Sequence, residues 1–281
     1  MMEVSLTPEK WDKQPVFECP TNPGGMVLKK EYPDQIQRQE QTHRKMYNHF
    51  IEKIKIAATE IKQCTNNNNA MCEDGRLDSA LKEGPFLNGL RAKLLEENPT
   101  WDIQISPPRA SCDVMINGLQ INLKMTDCKT ADNSCNKRAI YYSITGQTDY
   151  PYSSTWNDFL AKLVEAKAMG KIKMRRDPMT EYHYLVKNKR TGEVLLKSIF
   201  DIHTYISNPS NDLQINWRNE FANAGYATNA RPSEGSSLTD DTQYLRKVGE
   251  LLGCIQKSVK DMISKNAEFA EADLDKFLSL I

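Results

Sequence analysis

The chain has no excess of charge of either sign and no long apolar run. Its 281 residues carry 37 Lys and Arg against 37 Asp and Glu, so the formal net charge is zero. This balance argues against a non-specific basic protein that binds nucleic acid through phosphate neutralisation alone. No run of about 18 apolar residues is present, and the first residues are polar instead of basic and then apolar. We therefore expect a cytoplasmic protein that does not contact a membrane.

The sequence also lacks the spacings of a zinc site. None of the seven cysteines forms a CxxC pair, and the four histidines are not spaced to complete a Cys/His site. An odd number of cysteines without a secretory signal indicates free thiols in a reducing compartment. Hydrophobic content of 39% and charged content of 26% are ordinary for a globular protein and exclude disorder of the whole chain.

The most informative stretch is residues 112–126, CDVMINGLQINLKMT. An apolar run leads into Asn117-Gly118, the strongest short hairpin signal, and aliphatic residues then alternate with polar ones. The pattern predicts two antiparallel strands. Because side chains alternate along a strand, the second strand presents one polar face above a buried aliphatic one. The polar face carries Gln120, Asn122 and Lys124, and the aliphatic face carries Leu119, Ile121 and Leu123.

An aspartate, a turn and a strand that ends in acid-x-Lys form the core motif of the PD-(D/E)xK nucleases. The hairpin resembles that motif with Asp113 and Asn122-Leu123-Lys124. It departs from the motif because Cys112 replaces the preceding proline and Asn122 replaces the second carboxylate. The segments after Lys124, and NPSNDLQINWRNEF near the C-terminus, are similar to type II restriction endonucleases of the EcoRV/HincII group. The resemblance spans residues 83–262 and is carried mainly by the hairpin.

The resemblance implies a catalytic Mg²⁺ site. Phosphodiester hydrolysis needs a hard cation, and Mg²⁺ takes oxygen ligands from one or two protein groups, the substrate and water. Asp113 would be the main ligand, with the Asn122 amide oxygen and the Leu123 backbone carbonyl beside it. Lys124 would lie near the attacking water or the scissile phosphate. The alternative is an ordinary surface hairpin whose lysine is solvated.

A further acidic ligand has two candidates. The resemblance implies an acid on the helix before the hairpin, and Glu83 is the nearest one to the predicted start of that helix. An acid at a helix start is also expected from the helix dipole alone. Asp102, in the short strand before the hairpin, is the second candidate.

The resemblance also implies contacts with double-stranded DNA. In the loop at 106–111, Arg109 would approach the minor groove, and Gln147 and Thr148 lie in a glycine-containing turn after a β-like run at 139–145. A loop near 208–238 would read bases, since Asn pairs with adenine and Arg with guanine. The alternative is a surface loop rich in Asn, Gly and Ser. Its candidate base-reading residues are Asn219, Asn223, Tyr226, Thr228, Asn229 and Arg231.

Periodicity and turn residues predict the remaining elements. A Pro- and Gly-rich extended arm covers residues 1–33, and a single nuclease domain covers 34–281. Further strands are predicted at 101–105, 181–187, 193–199 and 213–218. Helices are predicted at 35–63, 84–98, 156–169 and 239–264, with a short one in the tail to 281.

Together these features predict an α/β fold with a restriction-endonuclease-like central mixed β-sheet flanked by helices. The expected activity is that of a sequence-specific, Mg²⁺-dependent type II restriction endonuclease that cleaves double-stranded DNA and leaves 5′-phosphates. A palindromic target would imply a homodimer, because a two-fold DNA site mirrors a two-fold protein. Two alternatives remain: a non-catalytic DNA-binding protein on a nuclease fold, favoured by the missing carboxylate, and a structure-specific DNA-repair nuclease.

Overall fold

A five-stranded mixed sheet carries the predicted hairpin. The structure is a computed structural model that describes residues 31–61, 75–107, 110–151, 156–207, 213–227 and 241–265. Residues His43–Ile281 form one compact unit and Met1–Thr42 another, and the elements discussed below belong to the first of these apart from the start of the first helix. The predicted arm falls outside the described residues up to position 30, and residues 31–33 are helical instead of extended.

Helices and strands alternate irregularly along the described chain. Its helices are α1 (Glu31–Glu60), α2 (Gly75–Glu97), α3 (Lys137–Thr145), α4 (Trp156–Ala168), α5 (Trp217–Ala227) and α6 (Asp241–Lys265). Its strands are β1 (Ile103–Ile105), β2 (Val114–Ile116), β3 (Leu119–Thr126), β4 (Asp132–Cys135), β5 (Tyr182–Asn188), β6 (Val194–Ser198), β7 (Tyr205–Ile206) and β8 (Leu213–Ile215).

The main sheet has the order β1-β2-β3-β5-β6, and a smaller sheet has the order β4-β8-β7. The first three strands of the main sheet are antiparallel, β3 and β5 are parallel, and β5 and β6 form an antiparallel hairpin. Parallel neighbours need a long crossover connection, and here the chain between them contains α3 and α4. The mixed sheet flanked by helices is therefore confirmed.

The Asn-Gly turn between β2 and β3 forms as the sequence predicts. Asn117 and Gly118 have φ values of 49° and 86°, and both residues of a type I′ hairpin turn need positive φ. The Asn117 side-chain oxygen accepts a hydrogen bond from the Asp102 N–H at 2.9 Å, and the Asn117 N–H donates to the Asp102 carbonyl at 2.8 Å. The turn thus also fixes the start of β1.

The main sheet buries a different core on each face. The aliphatic residues of β3 pack against α1 and α2, where Ile54, Phe86 and Leu90 are buried. On the opposite face, Tyr182, Tyr184 and other residues pack with α3, α4, α6 and the smaller sheet. β3 therefore lies at the centre of the fold, with its polar face directed away from α1 and α2.

The β-like run at 139–145 is helix α3, so that interpretation was wrong. The Asn136 side chain accepts a hydrogen bond from the Ala139 N–H at 2.9 Å and caps the helix N-terminus. Gly146 ends it with φ 73° and donates its N–H to the Tyr142 carbonyl. The aromatic and β-branched residues that suggested a strand are present because nearly the whole helix is buried.

Two further boundaries differ from the sequence interpretation. The sequence predicts no strand between the hairpin and the run at 139–145, but this segment contains β4, which pairs with β8 in the smaller sheet. The strand predicted at 213–218 ends at Ile215, and Trp217 begins α5 instead. The cause is local, because the Asn216 side chain accepts a hydrogen bond from the Asn219 N–H at 3.1 Å and acts as a helix N-cap.

Helix α2 begins earlier than predicted and continues through Pro85. Glu83 therefore lies inside the helix and not at its start. The other predicted helices in the described chain are confirmed within a few residues, as are the hairpin of β5 with β6 and the short β1. None of the helices in the described residues is long and apolar enough to cross a membrane. The four described cysteines are free thiols.

A buried lysine of β5 caps the end of α1. The Lys187 ammonium donates hydrogen bonds to the carbonyls of Ala58 at 3.1 Å and of Thr59 at 3.4 Å. Its residue is 3% exposed, and burial lowers the pKa of the amine. Since α1 has no basic residue in its own last turn, the β5 lysine supplies the charge that this helix end favours.

A buried histidine of β5 also joins α1 to the sheet. His183 Nδ1 lies 2.9 Å from the Glu181 carbonyl, and His183 Nε2 lies 3.0 Å from the Tyr47 hydroxyl. Because a carbonyl only accepts, Nδ1 carries the proton and Nε2 accepts from Tyr47. Burial lowers the pKa of His183 to about 4, so this imidazole stays neutral in the folded protein.

This histidine predicts a loss of stability in mild acid. Between pH 6.5 and 4 the unfolded chain protonates His183 and the folded chain does not, so the free energy of unfolding falls as pH falls, by up to about 3 kcal/mol. Urea unfolding at pH 7 and pH 5 should show a shallower pH dependence for His183→Gln than for the wild type. His49→Gln, at an exposed position of α1, is the matched control. Equal pH dependence in all three proteins would contradict the assignment.

Candidate active site

The predicted site lies where β2 begins, at the point along β3 where pairing with β2 stops. Val114 pairs with Ile121, while within the described chain the residues of β3 beyond Ile121 pair with β5 alone. The Asp113 N–H donates to the Ile121 carbonyl at 3.0 Å. Asp113 and Val114 thus both face Ile121, which is the arrangement of a β-bulge, and bulges redirect side chains.

The bulge directs the Asp113 carboxylate back onto β3. Its Oδ2 accepts a hydrogen bond from the Leu123 N–H at 2.6 Å. The N–H and C=O of one strand residue point to the same edge of the strand, so the Leu123 carbonyl lies on the side from which Asp113 approaches. The structure therefore brings together the carboxylate and the backbone carbonyl that the sequence proposed as ligands.

Asn122 has a buried oxygen without a partner. Its Oδ1 is inaccessible to solvent and makes no hydrogen bond with the described residues. The Asn122 side chain lies close to Tyr182, whose hydroxyl donates to the Ser111 carbonyl at 2.6 Å. A buried polar atom without a partner costs about 1–3 kcal/mol. An unpaired oxygen of this kind, on the residue next to Leu123 in β3, fits a ligand position for a hard cation.

Lys124 lies among carboxylates without forming an ion pair with any described residue. It is partly exposed and shares the polar face of β3 with Asn122. Burial raises the pKa of Asp113, and this effect is opposed by the Leu123 N–H and by the charge of Lys124. Burial likewise raises the pKa of Glu83, while Lys124 lowers it and Asp113 raises it. The electrostatics thus place Glu83, Asp113 and Lys124 in one neighbourhood.

Of the two candidate outlying acids, the structure brings only Glu83 to this place. Glu83 lies within α2, so a preference for acids at helix starts does not account for it. Asp102 lies at the other end of β2, beside the Asn117 turn, where its carboxylate accepts hydrogen bonds from the Gln104 amide at 3.0 Å. Asp113 and Asn117, which flank β2, are four positions apart along the chain, and this is roughly 13 Å in a strand.

The sequence analysis missed one carboxylate near Lys124. Asp132, at the start of β4, forms a hydrogen bond with Thr126, and burial raises its pKa while the charge of Lys124 lowers it. Thr126 is two residues beyond Lys124 and therefore on the same face of β3. No pattern in the sequence indicates this contact, because it depends on the pairing of β4 with β8 in the smaller sheet.

The oxygen groups fit a cation that binds partly through its substrate. Within the residues that the structure describes, no three Asp, Glu, His or Cys side chains gather closely enough to hold a metal ion by themselves. The candidate ligands are the Asp113 carboxylate, the Asn122 amide oxygen and the Leu123 backbone carbonyl. Mg²⁺ is bound by such a small set of protein groups when phosphate and water supply the other ligands. The donor set therefore fits Mg²⁺ and does not fit a closed structural zinc site.

The predicted DNA contacts are described only in part. Gln147 is partly buried and Thr148 is exposed, just after α3, and the Gln147 N–H donates to the Thr145 hydroxyl at 3.0 Å. Asn219 and Asn223 are exposed on α5, which also contains Tyr226, so these three lie on a helix and not in a loop. The remaining predicted contacts lie outside the described residues: Arg109, Thr228, Asn229 and Arg231.

Comparisons of the chain with protein-family models, with curated proteins and with solved structures found no match. The functional assignment therefore depends on the hairpin motif and on the geometry of Asp113, Asn122 and Lys124.

Replacing Asn122 with an apolar residue should raise the stability of the metal-free protein and weaken metal binding. Asn122→Leu removes the unpaired oxygen at similar volume, so the metal-free protein should be more stable by about 1 kcal/mol. Because that oxygen is proposed to bind the cation together with a substrate phosphate, the rise in Tm that millimolar Mg²⁺ gives the wild type in the presence of a short DNA duplex should disappear. Thermal unfolding in EDTA and in Mg²⁺ measures both effects.

Tyr244→Phe is the matched control for this experiment. The Tyr244 hydroxyl is also buried without a hydrogen-bond partner in the described chain, but it lies on α6. Its removal should stabilise the protein and leave the Mg²⁺ response intact. If Asn122→Leu retained the full Mg²⁺ response, Asn122 would not be a metal ligand.

Proposed function

We propose that this protein is a Mg²⁺-dependent endonuclease that hydrolyses phosphodiester bonds of double-stranded DNA and leaves 5′-phosphates. In its specific form the proposal is a sequence-specific type II restriction endonuclease of the PD-(D/E)xK superfamily. The observation that carries it is the arrangement of three residues at β3. The Asp113 carboxylate accepts from the Leu123 N–H, the Asn122 oxygen is buried and unpaired, and the charge of Lys124 lowers the pKa of Asp113 against the effect of burial. A mixed sheet flanked by helices is the architecture that this proposal requires.

Each residue then has a defined task. Asp113, Asn122 and the Leu123 carbonyl would hold Mg²⁺, which when bound offsets phosphate charge and activates water. The Leu123 N–H fixes the Asp113 carboxylate in one orientation before substrate arrives. Lys124 places a positive charge next to the scissile phosphate or the attacking water and stabilises charge in the transition state. Glu83 would supply a second carboxylate on the α2 side, whose pKa is raised by burial and lowered by the charge of Lys124.

The candidate residues for recognition of the DNA bases include two on helix α5, whereas the sequence predicted a loop. Asn219 and Asn223 are exposed and four residues apart, so they share one face of the helix. The major groove admits an α-helix, and Asn forms paired hydrogen bonds with adenine. In this proposal α5 enters the groove, and a two-fold DNA site is bound by a homodimer.

A non-catalytic DNA-binding protein is the second candidate. It is favoured by the amide at position 122, where the motif has a carboxylate, and by the absence of a three-carboxylate cluster in the described residues. Such a protein would bind DNA through the same residues without turnover. The two candidates differ in one observable, the appearance of cleaved product in Mg²⁺.

Plasmid digestion in Mg²⁺ tests the proposal. The wild type should give discrete fragments, and Lys124→Ala should lower the cleavage rate at least a hundredfold, because the charge at the scissile phosphate is lost. Sequencing of the fragment ends gives the target and the position of the 5′-phosphates. Lys260→Ala, which removes an exposed lysine of α6, should cleave like the wild type.

The other outcomes separate the alternatives. Unchanged cleavage by Lys124→Ala would overturn the site assignment. DNA binding without product from any variant, in Mg²⁺ or Mn²⁺, would establish the binding protein. Cleavage that follows ends or branches instead of one sequence would establish a structure-specific nuclease.

A further inference from the structure

The turn between β5 and β6 lies beside the candidate active site. Asn188, the last residue of β5, pairs with Thr126 at the end of β3, and the Lys189 N–H donates to the Thr126 carbonyl at 2.8 Å. Lys124 is two residues before Thr126 on the same strand. Residues 188–192, called here the β5–β6 turn, therefore extend the sheet at the end where Asp113 and Lys124 meet.

The backbone of the β5–β6 turn is fixed by its own hydrogen bonds. The Asn188 side-chain oxygen accepts from the Arg190 N–H at 2.9 Å and from the Thr191 N–H at 3.3 Å. Gly192 has φ 77°, a conformation that favours glycine, and its N–H donates to the Asn188 carbonyl at 2.9 Å. Asn188 is 7% exposed. The backbone positions of Lys189 and Arg190 are thus fixed by hydrogen bonds of the turn itself.

The charges of those two cations act on acids near the site. Lys189 lowers the pKa of Glu83 and of Asp132, the carboxyls that also respond to Lys124. Arg190 is exposed and lowers the pKa of Asp127, which follows β3 and forms an ion pair with Lys129 at 3.1 Å. Lys124, Lys189 and Arg190 therefore form a group of cationic residues at this end of the sheet, with the carboxylates of Glu83, Asp127 and Asp132 near them.

The spacing of these cations fits a nucleic acid strand. Lys189 is three residues further along the sheet than Lys124 and one strand over, which puts their Cα atoms roughly 11 Å apart. Successive nucleotides of one DNA strand rise about 3.4 Å along the helix axis. A phosphate at Lys124 would thus place its neighbours within reach of long Lys and Arg side chains on the turn.

We propose that the β5–β6 turn is a phosphate clamp, in which Lys189 and Arg190 bind backbone phosphates one to three nucleotides from the phosphate held at Lys124. The clamp depends on the proposed function for the identity of its ligand as duplex DNA. Phosphate contacts of this kind fix position and register without reading sequence. The acids nearby keep the region close to neutral, which agrees with a chain that has no net positive charge.

Salt-dependent binding tests the clamp. Each phosphate contact adds about 0.9 to the slope of log affinity against log salt. Binding of a short fluorescein-labelled DNA duplex, measured by anisotropy in EDTA, should lose roughly 1.8 of that slope in the double variant Lys189→Gln and Arg190→Gln. Affinity near 0.1 M salt should fall by roughly tenfold or more. Lys260→Gln on α6 is the matched control and should bind like the wild type.

Glutamine keeps much of each side-chain stem, and the Asn188 contacts involve only main-chain groups of the turn. The double variant should therefore unfold within a few degrees of the wild type, which a thermal scan checks. Slope and affinity equal to those of the control would overturn the clamp. A loss of affinity for inorganic phosphate with no change for the duplex would also overturn it, because the turn would then bind a small anion.

Failure of the clamp and failure of the proposed hydrolysis give different results. If the duplex binds through the turn but neither the wild type nor any variant yields product in Mg²⁺, the phosphate clamp is supported and the hydrolytic function is contradicted. If cleavage depends on Lys124 while the turn variant keeps the wild-type salt slope, the clamp falls and the hydrolytic function stands.

Discussion

The hydrogen bond from the Leu123 N–H to the Asp113 carboxylate is the contact on which the candidate site depends. It exists because Asp113 and Val114 both face Ile121, so that the carboxylate turns back onto β3 where β2 no longer pairs with it. The parallel pairing of β3 with β5 continues over this stretch, from Gln120 to Thr126, and keeps β3 within the sheet. One short local irregularity in an otherwise regular sheet therefore determines where acidic and basic side chains meet.

The candidate site contains groups that lower the stability of the fold and that a purely structural hairpin would not need. It keeps an amide oxygen of Asn122 buried without a partner, and it keeps two carboxyls, of Glu83 and Asp113, whose pKa values are raised by burial. Sites that bind ligands commonly hold such destabilising groups, and the rest of the fold compensates for them. With one carboxylate fewer than the motif, cation binding should depend strongly on the phosphate of the substrate, so that the metal and the DNA bind together.

The sequence predicted those parts of the fold and site that local signals determine. The Asn117-Gly118 turn and the alternation along β3 need only neighbouring residues, and they led directly to Asp113 and Lys124. The interpretation of 139–145 was wrong because aromatic and β-branched residues reflect burial as much as strand conformation. Asp132, Lys189 and the true position of Glu83 could not be predicted, because their approach to Lys124 depends on contacts between segments far apart in the chain.

The most direct test of the account is divalent cation binding at Asp113. Electron paramagnetic resonance titration of Mn²⁺ in the presence of duplex DNA would compare Lys124→Ala, which keeps the DNA intact, with the same protein carrying Asp113→Asn as well. The account predicts that Lys124→Ala binds Mn²⁺ more tightly with DNA than without it, and that Asp113→Asn weakens this binding at least tenfold, by about 1.4 kcal/mol or more. Equal Mn²⁺ affinity in the two proteins, or no Mn²⁺ binding in the presence of DNA, would contradict it.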